Sequence, residues 1–381
     1  MTDPADRAGA VLTIDLDAIV ANYRLLQARL KTGARAGAVV KADAYGLGAA
    51  TVAPVLAAAG CTTFFVALLD EGIALRPHLP AGCDIVVLNG LAPKAERAAL
   101  AHGLIPVLNS LEQVDGWTAL ARREQRALPA FIQLDSGMAR LGLQPRDLDR
   151  LVADPARLGG IGLRAVMSHL AVAERQDHPA NERQLAAFEA GRARLPAAPA
   201  SFANSSGIFL GPRYHFDLVR PGAALYGIAP VAGAANPMNP VIHLQGKVVQ
   251  VREIGAGDAV GYGLTFEAKG PTRIATLGVG YADGYLRAFS NRAVGHLDGV
   301  ALPQAGIVSM DSVTLDISAL PEGRVQPGTL IDLIGPHQTV DEAAGRAGTI
   351  AYEILTGLGR RYHRHYAGGI SPQQKVAGAA S

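Results

Sequence analysis

Along the first 230 positions the apolar residues gather in short runs: Ala38–Val40, Thr63–Leu68, Ile85–Leu88, Ile105–Leu108, Phe131–Leu134, Ala165–Met167, Ser201–Ala203 and Leu218–Val219. Each is bounded by Gly, Asn, Ser, Asp or another polar residue on at least one side. Ala/Leu/Arg-rich segments lie between most of them, and Thr51–Ala59 and Asn181–Leu195 carry their apolar residues at helical spacing. Eight short buried-type runs alternating with helical segments predict an α/β fold, a (β/α)8 barrel. A doubly wound sheet is the alternative. No Gly-rich dinucleotide fingerprint follows the first run, which favours the barrel.

The pattern changes near Pro230. Val231 to Pro240, with Gly233, Pro237 and Pro240, reads as a linker. Beyond it come short β-type runs, Gly246–Glu253, Thr272–Gly278, Gly306–Val308, Val313–Ile317 and Leu330–Ile334, with turns at Gly255–Asp258 and Asp298-Gly299. The expectation is a barrel over residues 1–232 and a mostly-β domain over 233–381, with a helix at Thr349–Leu358. Val11–Leu16 precedes the barrel and suits pairing with either domain. His363 and His365 read as solvated residues of a basic tail.

Composition narrows the function classes. The chain has 381 residues, 49% of them hydrophobic, and 35 basic against 33 acidic side chains. That balance leaves no electrostatic footprint for nucleic acid or an acidic membrane. Two cysteines, Cys61 and Cys83, give no disulfide framework, and no Cys/His spacing suggests a metal site. Met1 to Ala10 lacks the pattern of a signal peptide, and no stretch of eighteen apolar residues occurs. The expected setting is the cytoplasm.

Barrel enzymes carry their chemistry at the C-terminal ends of the strands. Here the first run ends in Lys41, the fifth in Asp135-Ser136-Gly137-Met138-Ala139-Arg140, the sixth in Ser168-His169, the seventh in Asn204-Ser205-Ser206-Gly207 and the eighth in Arg220-Pro221-Gly222-Ala223. A strand-end lysine alone is more often a solvated rim residue, and His169 alone reads equally well as a hydrogen-bonded core histidine. The convergence of five such ends on one mouth is what points to an anionic ligand. Small residues after the seventh and eighth strands let backbone N–H groups approach a phosphate. A desolvated lysine forms Schiff bases with aldehydes. Together they suggest pyridoxal phosphate.

The same residues resemble a known family. Val39-Val40-Lys41-Ala42-Asp43-Ala44-Tyr45-Gly46 is similar to the cofactor-lysine motif of the alanine racemases, and Asp135–Gly142 to their substrate-arginine segment. Ala203-Asn204-Ser205 and Val219-Arg220-Pro221-Gly222 resemble the segments facing the cofactor phosphate and pyridine nitrogen. Val260–Phe266, Gly280–Tyr285, Ser309-Met310-Asp311 and Thr349–Glu353 match further family segments in order, so the resemblance spans nearly the whole chain. It implies a barrel followed by a β domain, in a head-to-tail homodimer.

The resemblance further implies that Lys41 holds the cofactor and then serves the α-proton of the D-enantiomer, while Tyr262 serves that of the L-enantiomer. Tyr262 and Met310 would come across the subunit interface. A phenol with an ordinary pKa of about 10 needs positive charge or strong donors nearby to act as a base. Tyr45, Asn204, Ser205, Gly222, Ala223 and Tyr352 are assigned by motif to the cofactor, mostly its phosphate, with His169 beside the ring and Arg220 at the pyridine nitrogen. Arg140 and the Met310 N–H would hold the substrate carboxylate, and Asp311 and Tyr281 would line the entrance. Two positions depart from the family pattern. Leu47 stands where a histidine is usual, and Gln133 where many members carry a carbamylated lysine that orients the substrate arginine. No carbamylated lysine is therefore expected, and the preference for alanine loosens toward serine or other amino acids. A decarboxylase on the same barrel would need a carboxylate where Arg220 stands; a barrel-only cofactor carrier would lack the second domain and Tyr262. Supplying D-alanine and degrading alanine use the same chemistry, and the residues do not separate those roles.

Overall fold

The computed structural model describes residues 3–369. The described residues form two compact units, 19–238, and 3–18 together with 239–369.

In the first unit, strand β2 (Arg35–Ala36 continuing through Ala38–Val39) is followed by β3 (Thr63–Val66), β4 (Asp84–Val87), β5 (Leu104–Leu108), β6 (Leu128–Gln133), β7 (Ile161–Met167), β8 (Ala200–Ser201) and β9 (Leu218–Val219). Neighbours from β2 to β8 pair in parallel, in chain order. The edges then meet. Asp217 N–H donates to the Ala200 carbonyl and Arg220 N–H to that of Ala203, while the N–H groups of Arg35, Gly37 and Val39 donate to the carbonyls of Asp217, Val219 and Pro221. With β9 thus joined to both β8 and β2, the sheet closes and no edge is left open. Every residue of β3 (TFFV) and β5 (LIPVL) is buried, as a parallel sheet covered by helices requires.

Helices α1 (Leu16–Ala28), α2 (Ala49–Ala58), α3 (Leu69–Leu75), α4 (Glu96–Ala101), α5 (Leu111–Arg123), α6 (Pro145–Ala153) and α7 (Ala180–Arg192) alternate with the strands. No long helix follows β9. Instead α1, which precedes the barrel, covers the closing seam: Asn22 Nδ2 donates to the Leu225 carbonyl (3.2 Å) and Tyr23 Oη to that of Ala36 (3.0 Å).

The second unit is built on β1 (Ala10–Asp15), β10 (Ile242–Ile254), β11 (Ala259–Val260), β12 (Phe266–Glu267), β13 (Thr272–Leu277), β14 (Val294–Leu297), β15 (Val300–Pro303), β16 (Val313–Asp316), β17 (Leu330–Ile334) and β18 (His363–Ala367), with helices α8 (Val340–Ala347) and α9 (Ala351–Gly357). Its main sheet runs β15-β14-β17-β10-β1-β18, with β13 joining β10 to β16. The early run Val11–Leu16 belongs here: β1 lies antiparallel to β10 and parallel to β18. His363 and His365 are therefore strand residues opposite Val11 and Thr13, held by a ladder that a basic composition does not announce. Gly306–Val308 is not a strand. Gly306 sits at φ +92, and a Cβ there would lie 2.8 Å from the Val260 carbonyl oxygen, so the chain bends where a ladder was expected.

Candidate active site

At the end of β2 the chain does something unusual. Ala42, Asp43, Ala44 and Tyr45 all have φ between +51 and +55, one turn of left-handed helix directly after Lys41. Residues with a Cβ pay about 1–2 kcal/mol each for that conformation, so the surroundings must over-determine it. Gly46 and Gly48 continue at positive φ without that cost. Two carboxylates brace the turn. Asp43 Oδ1 accepts from Ala49 N–H (2.7 Å), and Glu71 Oε1 accepts from Ala42 N–H (2.7 Å). Leu47, where the family pattern has histidine, is fully buried in this packing.

The lysine sits among cations. Burial lowers the Lys41 pKa, the Arg140 charge lowers it further, Glu71 opposes, and Arg220 adds to the lowering. Arg220 is only 3% exposed. Its guanidinium donates to Ser201 Oγ (2.7 Å), to the carbonyls of Ser168 (2.6 Å) and Phe202 (3.4 Å), and to His169 Nδ1 (3.1 Å). All four are neutral acceptors, and burial brings its pKa down to about 9. His169 is held well below the ordinary histidine range by burial, then by Arg220, Arg140 and Lys41. It is neutral at pH 7. Because Nδ1 accepts from the guanidinium, the ring proton sits on Nε2.

The Arg140 loop is fixed by its own backbone. Asp135 Oδ1 accepts from the N–H groups of Gly137, Met138 and Ala139 (2.9, 3.0 and 3.1 Å). Gln133, buried, donates from Nε2 to the Leu141 carbonyl (3.1 Å), and its own carbonyl accepts from Leu143 N–H. Gly142, at φ +106, passes so near that a Cβ would meet the Asp135 nitrogen at 2.7 Å. Gln133 thus tethers the loop in which Arg140 stands.

After β8 and β9 comes a cluster of small residues. Asn204 Oδ1 caps Gly207 N–H (2.9 Å), and buried Ser205 accepts at Oγ from the N–H groups of Gly222 (2.9 Å) and Ala224 (3.2 Å). With two acceptances made, the hydroxyl proton of Ser205 is free to be donated. A Cβ on Gly222 would stand 2.5 Å from Tyr45 Oη, so only glycine lets that phenol reach the cluster. Ala223 opens the short turn Ala223–Tyr226 beside it. Lys41, Tyr45, Arg140, His169, Asn204, Ser205, Arg220, Gly222 and Ala223 therefore share the strand-end side of the barrel.

The remaining predicted residues form a second group, in the β unit. Tyr262 projects from the turn between β11 and β12 and is 74% exposed. The Tyr281 and Met310 loops are stitched together: Tyr281 N–H donates to the Ser309 carbonyl and Ala282 N–H to that of Met310. Arg361 locks them. It forks onto buried Asp283 (2.6 and 2.8 Å) and reaches Asp311 with its other nitrogen (2.7 Å). Asp283 in turn accepts from Gly280 N–H at 2.9 Å. Tyr352, on α9, is also exposed. Sequence reading passed over Glu71, Asp43, Asp283 and Arg361. Glu71 is the third residue of a helix after a strand, which reads as an ordinary cap. Arg361 finds its partners 50 and 78 positions away, and no local spacing marks such a bond.

Two family patterns match this chain: alanine racemase, N-terminal domain, over residues 14–230, and alanine racemase, C-terminal domain, over 241–366. The chain belongs to the alanine racemase family. Among its relatives, the catabolic alanine racemase of Mesorhizobium japonicum is 57% identical over 362 residues, covering 95% of this chain and 94% of the relative. The alanine racemase of Rhodospirillum rubrum is 52% identical, covering 95% and 97%. The crystal structure of alanine racemase from Bartonella henselae with covalently bound pyridoxal phosphate superposes with a TM-score of 0.90 at 44% identity, covering 94% of this chain and 99% of that one. Among the described residues, no helix is long and apolar enough to cross a membrane, and no group of His, Cys, Asp and Glu side chains could hold a metal.

Proposed function

We propose that this racemase exchanges the α-proton of alanine between two bases on opposite faces of the substrate, the Lys41 amine and the Tyr262 phenol. The reaction is the interconversion of L- and D-alanine, and pyridoxal phosphate is its cofactor. A broader specificity is not supported, since the relatives are alanine racemases by name. The observation that carries the reading is Lys41 itself: an amine with lowered pKa, at the end of a buried strand, beside a cluster of small residues.

The residues present fit the cofactor on chemical grounds. The lysine is poised to react with an aldehyde. The Ser205 hydroxyl proton, the Tyr45 phenol and the backbone at Gly222 and Ala223 suit a phosphate, with Asn204 shaping the loop and Tyr352 assigned to the same anion by motif. When bound, pyridoxal phosphate supplies the electron sink for the charge left at Cα. Arg220 would face its ring nitrogen. A guanidinium that donates to four neutral acceptors keeps its own protons and does not protonate that nitrogen. A decarboxylase would need a carboxylate in this place. Neutral His169 would lie along the ring.

Arg140 would bind the substrate carboxylate with its planar fork, helped by the Met310 N–H. Asp311 and Tyr281 would line the entrance. Tyr262 and Met310 would be supplied by a second copy of the chain, which makes a homodimer the catalytic unit. Deuterium incorporation into a panel of L-amino acids in heavy water tests the reading: rapid α-exchange with alanine and at least about tenfold slower exchange with serine is the expected result. Absence of α-exchange with alanine would overturn it.

The Arg361 lock gives a second expected outcome. Arg361→Met removes both ion pairs and releases the Asp311 turn. KM for alanine should rise about tenfold while kcat changes less than about threefold, because the loss falls on ground-state and transition-state binding alike. A fall in kcat alone, measured by steady-state kinetics in both directions, would contradict the assignment of this loop to the substrate carboxylate.

A further inference from the structure

The left-handed turn after Lys41 needs an anchor outside itself, and Glu71 has the geometry of one. Its carboxylate spans two segments. Oε1 accepts from Ala42 N–H (2.7 Å), the peptide directly after the lysine. Oε2 accepts from Ala67 N–H (2.7 Å) and Leu68 N–H (3.1 Å), where the chain leaves β3 for α3. One side chain thus ties the first left-handed residue to the end of the adjacent barrel strand. We infer that Glu71 is a positioning residue for Lys41, clamping the turn that presents the amine at the barrel mouth. The inference rests on the reading of Lys41 as the cofactor lysine.

Three observations sharpen it. Asp43 braces the far end of the turn through Ala49, but only Glu71 reaches the peptide joined to Lys41. An ordinary helix cap needs acceptors only for the first N–H groups of its own helix, and the bond to Ala42 lies outside that task. Glu71 also raises the Lys41 pKa, set against the lowering by Arg140 and Arg220. A mere brace of α3 would leave the lysine's ionisation unmoved when replaced. A nearby charge alone, when removed, would lower the lysine pKa and speed capture of the cofactor, whereas loss of a clamp lowers the pKa and slows capture.

The experiment uses Glu71→Gln, which keeps the shape, removes the charge and, with its oxygen kept on Ala67 and Leu68, turns an NH2 toward the Ala42 N–H that needs an acceptor, with Glu71→Ala as companion. In cofactor-free protein, competitive acetylation of Lys41 across pH, read by mass spectrometry, reports the ionisation of its amine. The expected result for Glu71→Gln is a labelling midpoint moved to lower pH and capture of added pyridoxal phosphate slowed about tenfold, with slower capture still in Glu71→Ala. In the reconstituted enzyme kcat should fall about tenfold and KM for alanine by less than threefold either way. An unchanged midpoint and capture rate in folded Glu71→Gln overturn the proposal. So does a lowered melting temperature with the midpoint unmoved, which marks a structural brace and nothing more. If Glu71→Ala fails to fold, the near-isosteric glutamine variant decides alone. Lys41→Ala, run beside them, separates the two readings: a covalent cofactor band persisting in that variant sinks the lysine assignment, while the acetylation profiles still judge Glu71.

Discussion

Lys41→Ala should lower racemisation in both directions by about ten-thousand-fold, the upper range for removing a positioned acid–base group, and should abolish covalent attachment of the cofactor. Two separate tasks fail together, because the same amine holds the cofactor and moves a proton. Borohydride treatment followed by mass spectrometry distinguishes this from simple misfolding: the wild type gains a phosphopyridoxyl group on the Lys41 peptide and the variant does not. The pH dependence has a definite sign. Burial and the Arg140 and Arg220 charges lower the lysine pKa, with Glu71 opposing. The neutral amine therefore persists to lower pH than in a free lysine, whose pKa is about 10.4. Cofactor capture by the empty enzyme should lose speed on acidification only below that value. Retained attachment at another lysine, or a midpoint at the free-lysine position, would contradict the assignment.

Tyr262→Phe should give the second-largest effect, and a lopsided one. Wash-out of the α-proton from L-alanine should fall about a thousandfold, and from D-alanine less than about tenfold, since only one of two bases is lost. Steady-state racemisation cannot reveal this: a full turnover in either direction uses both bases, so both rates fall together. Isotope exchange examines each half separately. The ring of phenylalanine fills the same space, and Tyr262 is exposed in the single subunit, so stability of the subunit should hardly move. Equal losses from the two enantiomers would rule out the two-base division.

The eight barrel strands were legible because a parallel sheet buried on both faces leaves unbroken apolar runs, such as Phe64–Val66 and Ile105–Leu108. Their polar terminators then marked the strand ends, which is why the placement of Lys41, His169 and Arg220 there could be read from order alone. Strands with mixed faces were harder. His363–Ala367 owes its extended form to β1, 352 positions earlier in the register His363–Val11, and no nearby residue encodes that pairing. Gly306–Val308 has a strand-like composition, yet a backbone oxygen from Val260 fills the place of its side chain. Bracing carboxylates such as Glu71 and Asp283 escaped for a like reason: their role is to satisfy backbone N–H groups, and those partners have no sequence signature.

The position of β1 carries a consequence for how the chain is made. It lies inside the β sheet, between β10 and β18, although its neighbours are synthesised more than two hundred residues after it. At roughly 5–20 residues per second, the ribosome completes the barrel strands while this segment waits unpaired for more than ten seconds. Closure of the second unit thus waits until β18 has emerged, and its contacts are of very high sequence separation. A fragment starting at Asn239 lacks an interior strand and exposes two unpaired edges, so the β unit cannot be cut free at the linker as an independent module; a circular permutation that moves residues 1–18 to the C-terminus would make it contiguous.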